Sequence, residues 1–424
     1  MTQRRRSKKT EVEPRRFGRR SFLLGAGAAA CVGAGLWLRR KELSGQDKTG
    51  KQQQNVNNPA LPAGEWRAVW ISYLEWALLD FSTADTFRAG CAQMLDDCAG
   101  LGLNTVLAQV RPFGDALYRS SLFPWSHLCT GVQGADPGFD PLAIMVEQAH
   151  QRGLQLHAWV NPYRVRTSAT NKQLSSKNPA VKLLKSGDAI RYNGAVTYDP
   201  ASKKAQQLIV EGVREIVEKY DVDGIHSDDY FYPTTDAGFD SASYQAYKNK
   251  GGSLSLAAWR RQNVNDLVKQ VYAAVKQADG EVLFGISPQG NMDNNYNKQF
   301  IDVKKWLSEE GYLDYICPQV YFGFKNSTCP YEQTVEEWND LIQNKVQLVV
   351  GLSPYKVGLE DAYAGNGRWE WANSGDILAR MVETARKEEH YQGFALFRYN
   401  SVFQPESSVR PAILEELDSL QEVL

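Results

Sequence analysis

Residues 223–233 read Asp223-Gly224-Ile225-His226-Ser227-Asp228-Asp229-Tyr230-Phe231-Tyr232-Pro233. A short run suited to a buried strand ends here in two adjacent carboxylates, three aromatic rings and a proline, a residue that strand interiors exclude. A stretch of helical period, 203–220, precedes it and another, 256–277, follows, so the segment reads as the strand of a βα unit. The same alternation continues outward in both directions. Strands are expected at 67–72, 105–110, 156–161, 224–227, 283–287, 315–320, 348–352 and 394–397. Helices are expected at 85–100, 141–152, 203–220, 256–277, 301–310, 334–344, 374–389 and 410–420. Eight such units over about 360 residues fit an α/β fold of the (β/α)8 TIM-barrel type, with enlarged loops after strands 2, 3 and 4. A doubly wound sheet would stop at roughly five to seven strands.

In such barrels the carboxyl ends of the strands carry the site. Strand two runs out through Gln109-Val110-Arg111-Pro112-Phe113-Gly114-Asp115, and strand three through His157-Ala158-Trp159-Val160-Asn161-Pro162-Tyr163-Arg164. Strands five, six and seven end Ser287-Pro288-Gln289-Gly290, Pro318-Gln319-Val320-Tyr321 and Ser353-Pro354-Tyr355. Side chains alternate along a strand, so His157, Trp159 and Asn161 share one face, as do His226 and Asp228. With that face turned inward, the Asp228 carboxylate enters the barrel mouth among Trp159, Tyr163, Tyr230 and Tyr321. A carboxylate walled by aromatic rings suits glycoside hydrolysis, because it can meet an oxocarbenium-like centre while the rings stack on sugars.

The roles expected on this basis are Asp228 as nucleophile or base and Asp229 or Asp115 as acid. Arg111 and Arg164 would hold carboxylates or substrate oxygens, and His157, Asn161, His226, Gln289 and Gln319 would make sugar hydrogen bonds. Plainer readings compete. Adjacent carboxylates often cap a loop or pair with arginines, rim aromatics often pack loops, and His157 and His226 read equally well as satisfied core histidines.

Three runs carry a resemblance. Gly102-Leu103-Asn104-Thr105-Val106 with Gln109-Val110-Arg111-Pro112, then 157–164, then Tyr220-Asp221-Val222-Asp223 through Pro233, resemble the glycosyl hydrolase-like family ten over about residues 65–400. The resemblance implies a (β/α)8 barrel and a bacterial envelope hydrolase acting on peptidoglycan glycan strands stripped of their stem peptides. Taken position by position it points to Arg111, Asp115, His157, Asn161, Arg164, His226, Asp228 and Asp229. Strand four alone is also similar to the nucleophile strand of the α-amylase family, with His226 in place of the usual arginine, which favours Asp228 as nucleophile. That family's acid, a glutamate near the end of strand five, has no counterpart in Ser287-Pro288-Gln289-Gly290, and a chitinase-like pattern would need a glutamate where Tyr230 stands. The general acid is thus open between Asp229, Asp115 and a loop carboxylate such as Asp293 or Glu360.

Charge divides the chain. Residues 1–43 hold twelve Lys/Arg against three Asp/Glu, and the remainder holds thirty-six against forty-six. An acidic body argues against nucleic acid as a partner. The basic head encloses an uncharged stretch, 21–38, preceded by Arg19-Arg20, and Arg19-Arg20-Ser21-Phe22-Leu23-Leu24 resembles a twin-arginine signal. Residues 1–43 are therefore expected to be an export signal or membrane anchor, 44–64 a flexible linker, and 65–424 the catalytic barrel, placed in the cell envelope or outside the cell. Membrane contact is expected through the N-terminal segment only. Cys91, Cys98, Cys129, Cys317 and Cys329 lack CxxC spacing, so neither a zinc site nor a disulfide framework follows, and Cys91 and Cys98 read as packing residues on a helix face. No Rossmann or P-loop glycine pattern is present, so no cofactor is expected. Two alternatives to a glycosidase stand: a non-catalytic glycan-binding barrel, and a metal-dependent polysaccharide deacetylase using His157, His226 and Asp228.

Overall fold

A computed structural model describes residues 64–169 and 173–424; the expected export segment, 1–43, and the linker up to residue 63 lie outside the described residues. Eight parallel strands close into a barrel. Around it run β1 (Trp66–Ile71), β2 (Thr105–Arg111), β3 (Gln155–Val160), β7 (Gly224–Asp228), β8 (Leu283–Ser287), β9 (Tyr315–Ile316), β10 (Gln347–Leu352) and β11 (Tyr391–Leu396), which pairs back onto β1. The remaining strands, β4 (Arg164–Arg166), β5 (Ala189–Tyr192) and β6 (Ala195–Tyr198), form a small antiparallel sheet inside the loop that follows β3.

The helices that alternate with the barrel strands are α1 (Ala84–Gly100), α2 (Pro141–His150), α3 (Lys203–Lys219), α4 (Leu256–Ala278), α5 (Val303–Ser308), α6 (Tyr331–Asp340), α7 (Ile377–Ala385) and α8 (Arg410–Val423). Their starts follow from local chemistry: Thr83, Asp140, Ser202 and Ser255 each accept a backbone N–H of the first turn, which satisfies donors that have no partner inside the helix. Cys91 and Cys98 are buried on α1. The eight strands and eight helices fall where the periodicity places them. The expected sixth strand, 315–320, is cut to two ladder residues because Pro318 has no N–H to give; beyond it only Gln319 bridges to Gln289 and Gly351.

Alternation divides the side chains into two cores. Trp66, Ala68, Trp70, Leu107, Trp159, Tyr315, Cys317, Val349 and Ala395 fill the barrel interior. The intervening residues, among them Val69, Val106, Ala158, Ile225 and Phe284, pack against the helices. The interior closes by pairing large residues with none. A Cβ on Gly224 would collide with the His157 ring, one on Gly285 with the Tyr315 ring, and one on Gly393 with Trp66. Gly224 and Gly285 thus make room for the imidazole and phenol that floor the barrel, and Gly393 for the close approach of the Trp66 backbone.

Candidate active site

The depth of each inward side chain follows from strand register. His157 lies opposite Gly224, Trp159 opposite His226, and Asp228 opposite Ser287, so Asp228 is the uppermost inward residue of β7. Asn161, one residue past β3, reaches it from the side: its Nδ2 donates to Asp228 Oδ1 at 2.7 Å and Oδ2 at 2.5 Å. Asn161 is held in turn, because its Oδ1 accepts from Gln109 Nε2 at 2.5 Å and from Arg164 Nη2 at 3.1 Å. The Tyr230 backbone N–H closes the turn onto Asp228 Oδ1 at 3.1 Å.

Asp229 turns to the other side of the mouth. It accepts amide N–H groups from Gln289 at 3.1 Å, Gln299 at 2.7 Å and Gln319 at 3.2 Å, arriving from the ends of β8 and β9 and from the π-helical turn Asn295–Gln299. Around the pair stand Tyr230, 55% exposed and stacked 4.7 Å under the Arg164 guanidinium, and Tyr321, whose enclosed hydroxyl has no hydrogen-bond partner among the described residues. Tyr321 packs on Tyr355 at 5.9 Å and Phe397 at 5.6 Å.

Burial, reinforced by the neighbouring charge of Asp229, pushes the Asp228 carboxyl up to about 7, although Arg164, the Tyr230 N–H and the Asn161 amide all pull it down. Asp228 is only 4% exposed, so water does little to offset that penalty. The mouth therefore holds a carboxyl able to keep its proton near neutral pH beside a carboxylate clasped by three amides.

Eight of the expected residues converge here: Asp228, Asp229, Asn161, Arg164, Gln289, Gln319, Tyr230 and Tyr321. The structure moves the others elsewhere. His157 and His226 face inward but lie below the mouth. Trp70 Nε1 donates to His226 Nε2 at 3.2 Å, and since indole can only donate, the His226 proton is assigned to Nδ1, which meets the Tyr315 hydroxyl at 2.9 Å. That hydroxyl then donates to His157 Nδ1 at 3.1 Å. Burial pushes His157 down to about 4 and His226 well below the usual imidazole range. Both are neutral core histidines and do not reach a sugar at the rim. Trp159 lies in the same buried layer, beside His226.

Arg111 and Tyr163 point the other way. The β2–β3 register shifts between Gln109 and Arg111, and this bulge turns Arg111 outward, where it is fully buried with its guanidinium 4.4 Å over the Phe123 ring and beside Gly212 of α3. Tyr163 packs on Phe231 in the outer core. Asp115 is enclosed in the β2 loop, where it accepts from Gln133 Nε2 at 2.7 Å and faces His127 Nδ1 at 3.3 Å. Of the loop carboxylates, Asp293 is exposed and Glu360 pairs with Arg368. Gln109 and Gln299 were not expected as site residues. The alternation that puts Leu107 inside also puts Gln109 there, whereas Gln299 comes from an Asn-rich turn with no period. Among the described residues no group of three His, Cys, Asp or Glu side chains is placed to hold a metal.

Comparison with known proteins agrees with this architecture. Residues 65–369 match the family described as glycosyl hydrolase-like 10. Glycosyl hydrolase YngK of Bacillus subtilis (strain 168) is 37% identical over 316 residues, covering 69% of this chain and 61% of YngK, so the chain spans less than two thirds of that relative. Glycosyl hydrolase DigH of Escherichia coli (strain K12) is 33% identical over 384 residues, covering 82% of this chain and 86% of DigH. Among solved structures, the PgaB (BpsB) glycoside hydrolase domain from Bordetella bronchiseptica matches with a TM-score of 0.55 at 14% identity, over 85% of this chain and 98% of that one, a likeness of fold.

Proposed function

The chain belongs to the glycosyl hydrolase-like 10 family, and from that premise we propose that it is an exported glycosidase that cleaves peptide-free peptidoglycan strands, with Asp228 as proton donor and Asp229 as the facing carboxylate. The observation that carries this reading is the Asp228 carboxyl, held up to about 7 by burial and by Asp229. A general acid must keep its proton at working pH and release it to the departing oxygen, and a value near 7 serves both needs. As the glycosidic C–O bond breaks, the Asp228 proton passes to the leaving oxygen. Asp229, surrounded by amide donors, faces the positive charge that builds at the anomeric carbon. Water then supplies the hydroxyl of the new sugar end, and its remaining proton restores Asp228.

These roles reverse the sequence expectation, which made Asp228 the nucleophile or base. Strand alternation puts a carboxylate in the mouth but says nothing of its burial, and burial is what holds the proton on Asp228. Tyr230 and Tyr321 supply aromatic faces for sugar rings, and Arg164 a cation suited to the lactyl carboxylate of a muramic acid stripped of its peptide. The basic head with Arg19-Arg20 supports a location outside the cytoplasmic membrane. A second reading, a barrel that binds glycan without cutting it, draws on Gln289 standing near where a strand-five glutamate would supply the acid.

The test incubates the full-length protein, wild type, Asp228→Asn and Asp229→Asn, with peptide-free and intact peptidoglycan, and identifies soluble saccharides by mass spectrometry. Release is expected from peptide-free strands by wild type, with a loss of about 10²–10⁴-fold in Asp228→Asn. Full activity in a folded Asp228→Asn would sink the assignment, and binding without turnover would favour the silent barrel.

A further inference from the structure

The loop between β10 and α7, residues 353–376, holds apolar side chains out in water: Tyr355 is 42% exposed, Leu359 47%, Tyr363 94% and Trp369 55%. Wet apolar area is unfavourable by roughly 25 cal/mol per Å², and a cluster of it on one element marks a contact surface. The loop's own folding does not need these side chains outside, because it is anchored by others. Trp371 is fully buried, Lys356 Nζ pairs with Asp361 Oδ2 at 2.6 Å, and Asp361 Oδ1 accepts the Tyr363 N–H at 3.2 Å. Backbone bonds from Gly358 to Trp371 and from Asp361 to Arg368, both 2.9 Å, fold the loop on itself.

The loop is also fastened to the mouth and to the neighbouring loop after β9. Lys356 Nζ donates to the Tyr321 carbonyl at 2.7 Å, and the Tyr355 ring meets Tyr321 edge-on at 5.9 Å and Phe397 at 6.2 Å. Glu370 accepts the Lys325 N–H at 2.9 Å, and Ser327 Oγ accepts that of Asn366 at 2.9 Å. The exposed aromatic residues thus sit on a braced loop whose Tyr355 ring packs on Tyr321 and Phe397 at the ends of β9 and β11. The Arg368 guanidinium lies 5.6 Å over the Trp369 ring and is itself paired with Glu360, which places fixed polar groups alongside the indole.

We propose that Tyr355, Leu359, Tyr363 and Trp369 form a saccharide-binding platform that takes sugar rings of a long glycan beyond those at the cleaved bond. Pyranose rings suit it, because their C–H faces stack on aromatic rings while their edge hydroxyls reach groups such as Glu360 and Arg368. Four side chains on one loop fall far short of the 20–30 residues a side in a stable protein interface, so the occupant is a narrow chain and not a globular partner. The platform rests on the glycosidase reading for its substrate and sets a preference for polymer over short oligosaccharide.

The experiment uses the full-length protein with Tyr363→Ala, Trp369→Ala and the double variant, on peptide-free strands of graded length. The double variant is expected to raise KM about tenfold for long strands, against less than twofold for a tetrasaccharide, with kcat following wild type and Trp369→Phe recovering most of the loss. Equal changes on short and long chains, or none on long ones, would overturn the platform. Tyr363→Ala alters a side chain almost wholly in solvent, so its folding is not in question. Co-sedimentation with insoluble peptide-free glycan reads the platform without turnover. Weaker sedimentation of the double variant supports it even if wild type cuts nothing, which would count against the glycosidase reading alone, and unchanged sedimentation overturns it.

Discussion

At the scale of single residues, the pair Asp228–Asp229 ties stability and activity to pH in the same sense. The folded chain holds the Asp228 proton up to about 7, whereas an unfolded carboxyl lets it go near 3.8, so between those values the folded state binds more protons. The stability this contributes is complete below about pH 4 and is lost as the pH rises through 7. Asp228→Asn removes that loss: denaturant melts should show the variant more stable than wild type at pH 8, by up to about 4 kcal/mol, with the gap closing at pH 4. Activity runs the same way with Asp228 as the acid, and kcat/KM should fall above about pH 7. Asn161 tunes this limb, since its amide is one of the groups that lower Asp228. Asn161→Ala should cost about 10- to 100-fold in kcat and shift the alkaline limb upward. A limb that stays in place in the variant would show that Asn161 does not act through Asp228.

At the scale of elements, the barrel floor depends on two glycines facing two rings, Gly224 against His157 and Gly285 against Tyr315. Gly224→Ala should destabilise by about 1–3 kcal/mol or more, because the added methyl meets the His157 ring in a core with no room to shift. Pairing it with His157→Ala should cost less than the sum of the two single changes, and additive costs in equilibrium unfolding would refute the contact. The same elements show what a sequence carries. Strand and helix positions were legible because period 2 and period 3.6 are properties of neighbouring residues. Alternation also named the inward face for His157, His226 and Asp228, but not the depth, so it left the two histidines open between core and rim, and the structure places them in the core. Arg111 misled because a bulge, which has no fixed sequence signature, reversed its side. Tyr163 lies past the last ladder residue, where alternation no longer applies. The β5–β6 hairpin did carry a signal: Asn193 and Gly194 both adopt positive φ in the two-residue turn, as such a pair favours.

At the scale of the whole molecule, the described residues bring no three metal-ligating side chains together, and the two histidines a deacetylase would need are locked inside the barrel. Glycan release should therefore survive prolonged treatment with a chelator, and a loss restored by zinc would point to the deacetylase alternative. The chain of contacts from Trp70 through His226 and Tyr315 to His157 spans β1, β7, β9 and β3, so it exists only while these four strands stand in register across the barrel. Each ring has an assigned tautomer and stays neutral at pH values where an exposed imidazole would be half charged. In a nitrogen-15 spectrum these two rings are built-in gauges of closure. Their signals should hold still through a titration from pH 8 to 5 and begin to move only when the strands part, reporting barrel opening before any loss of helix is visible.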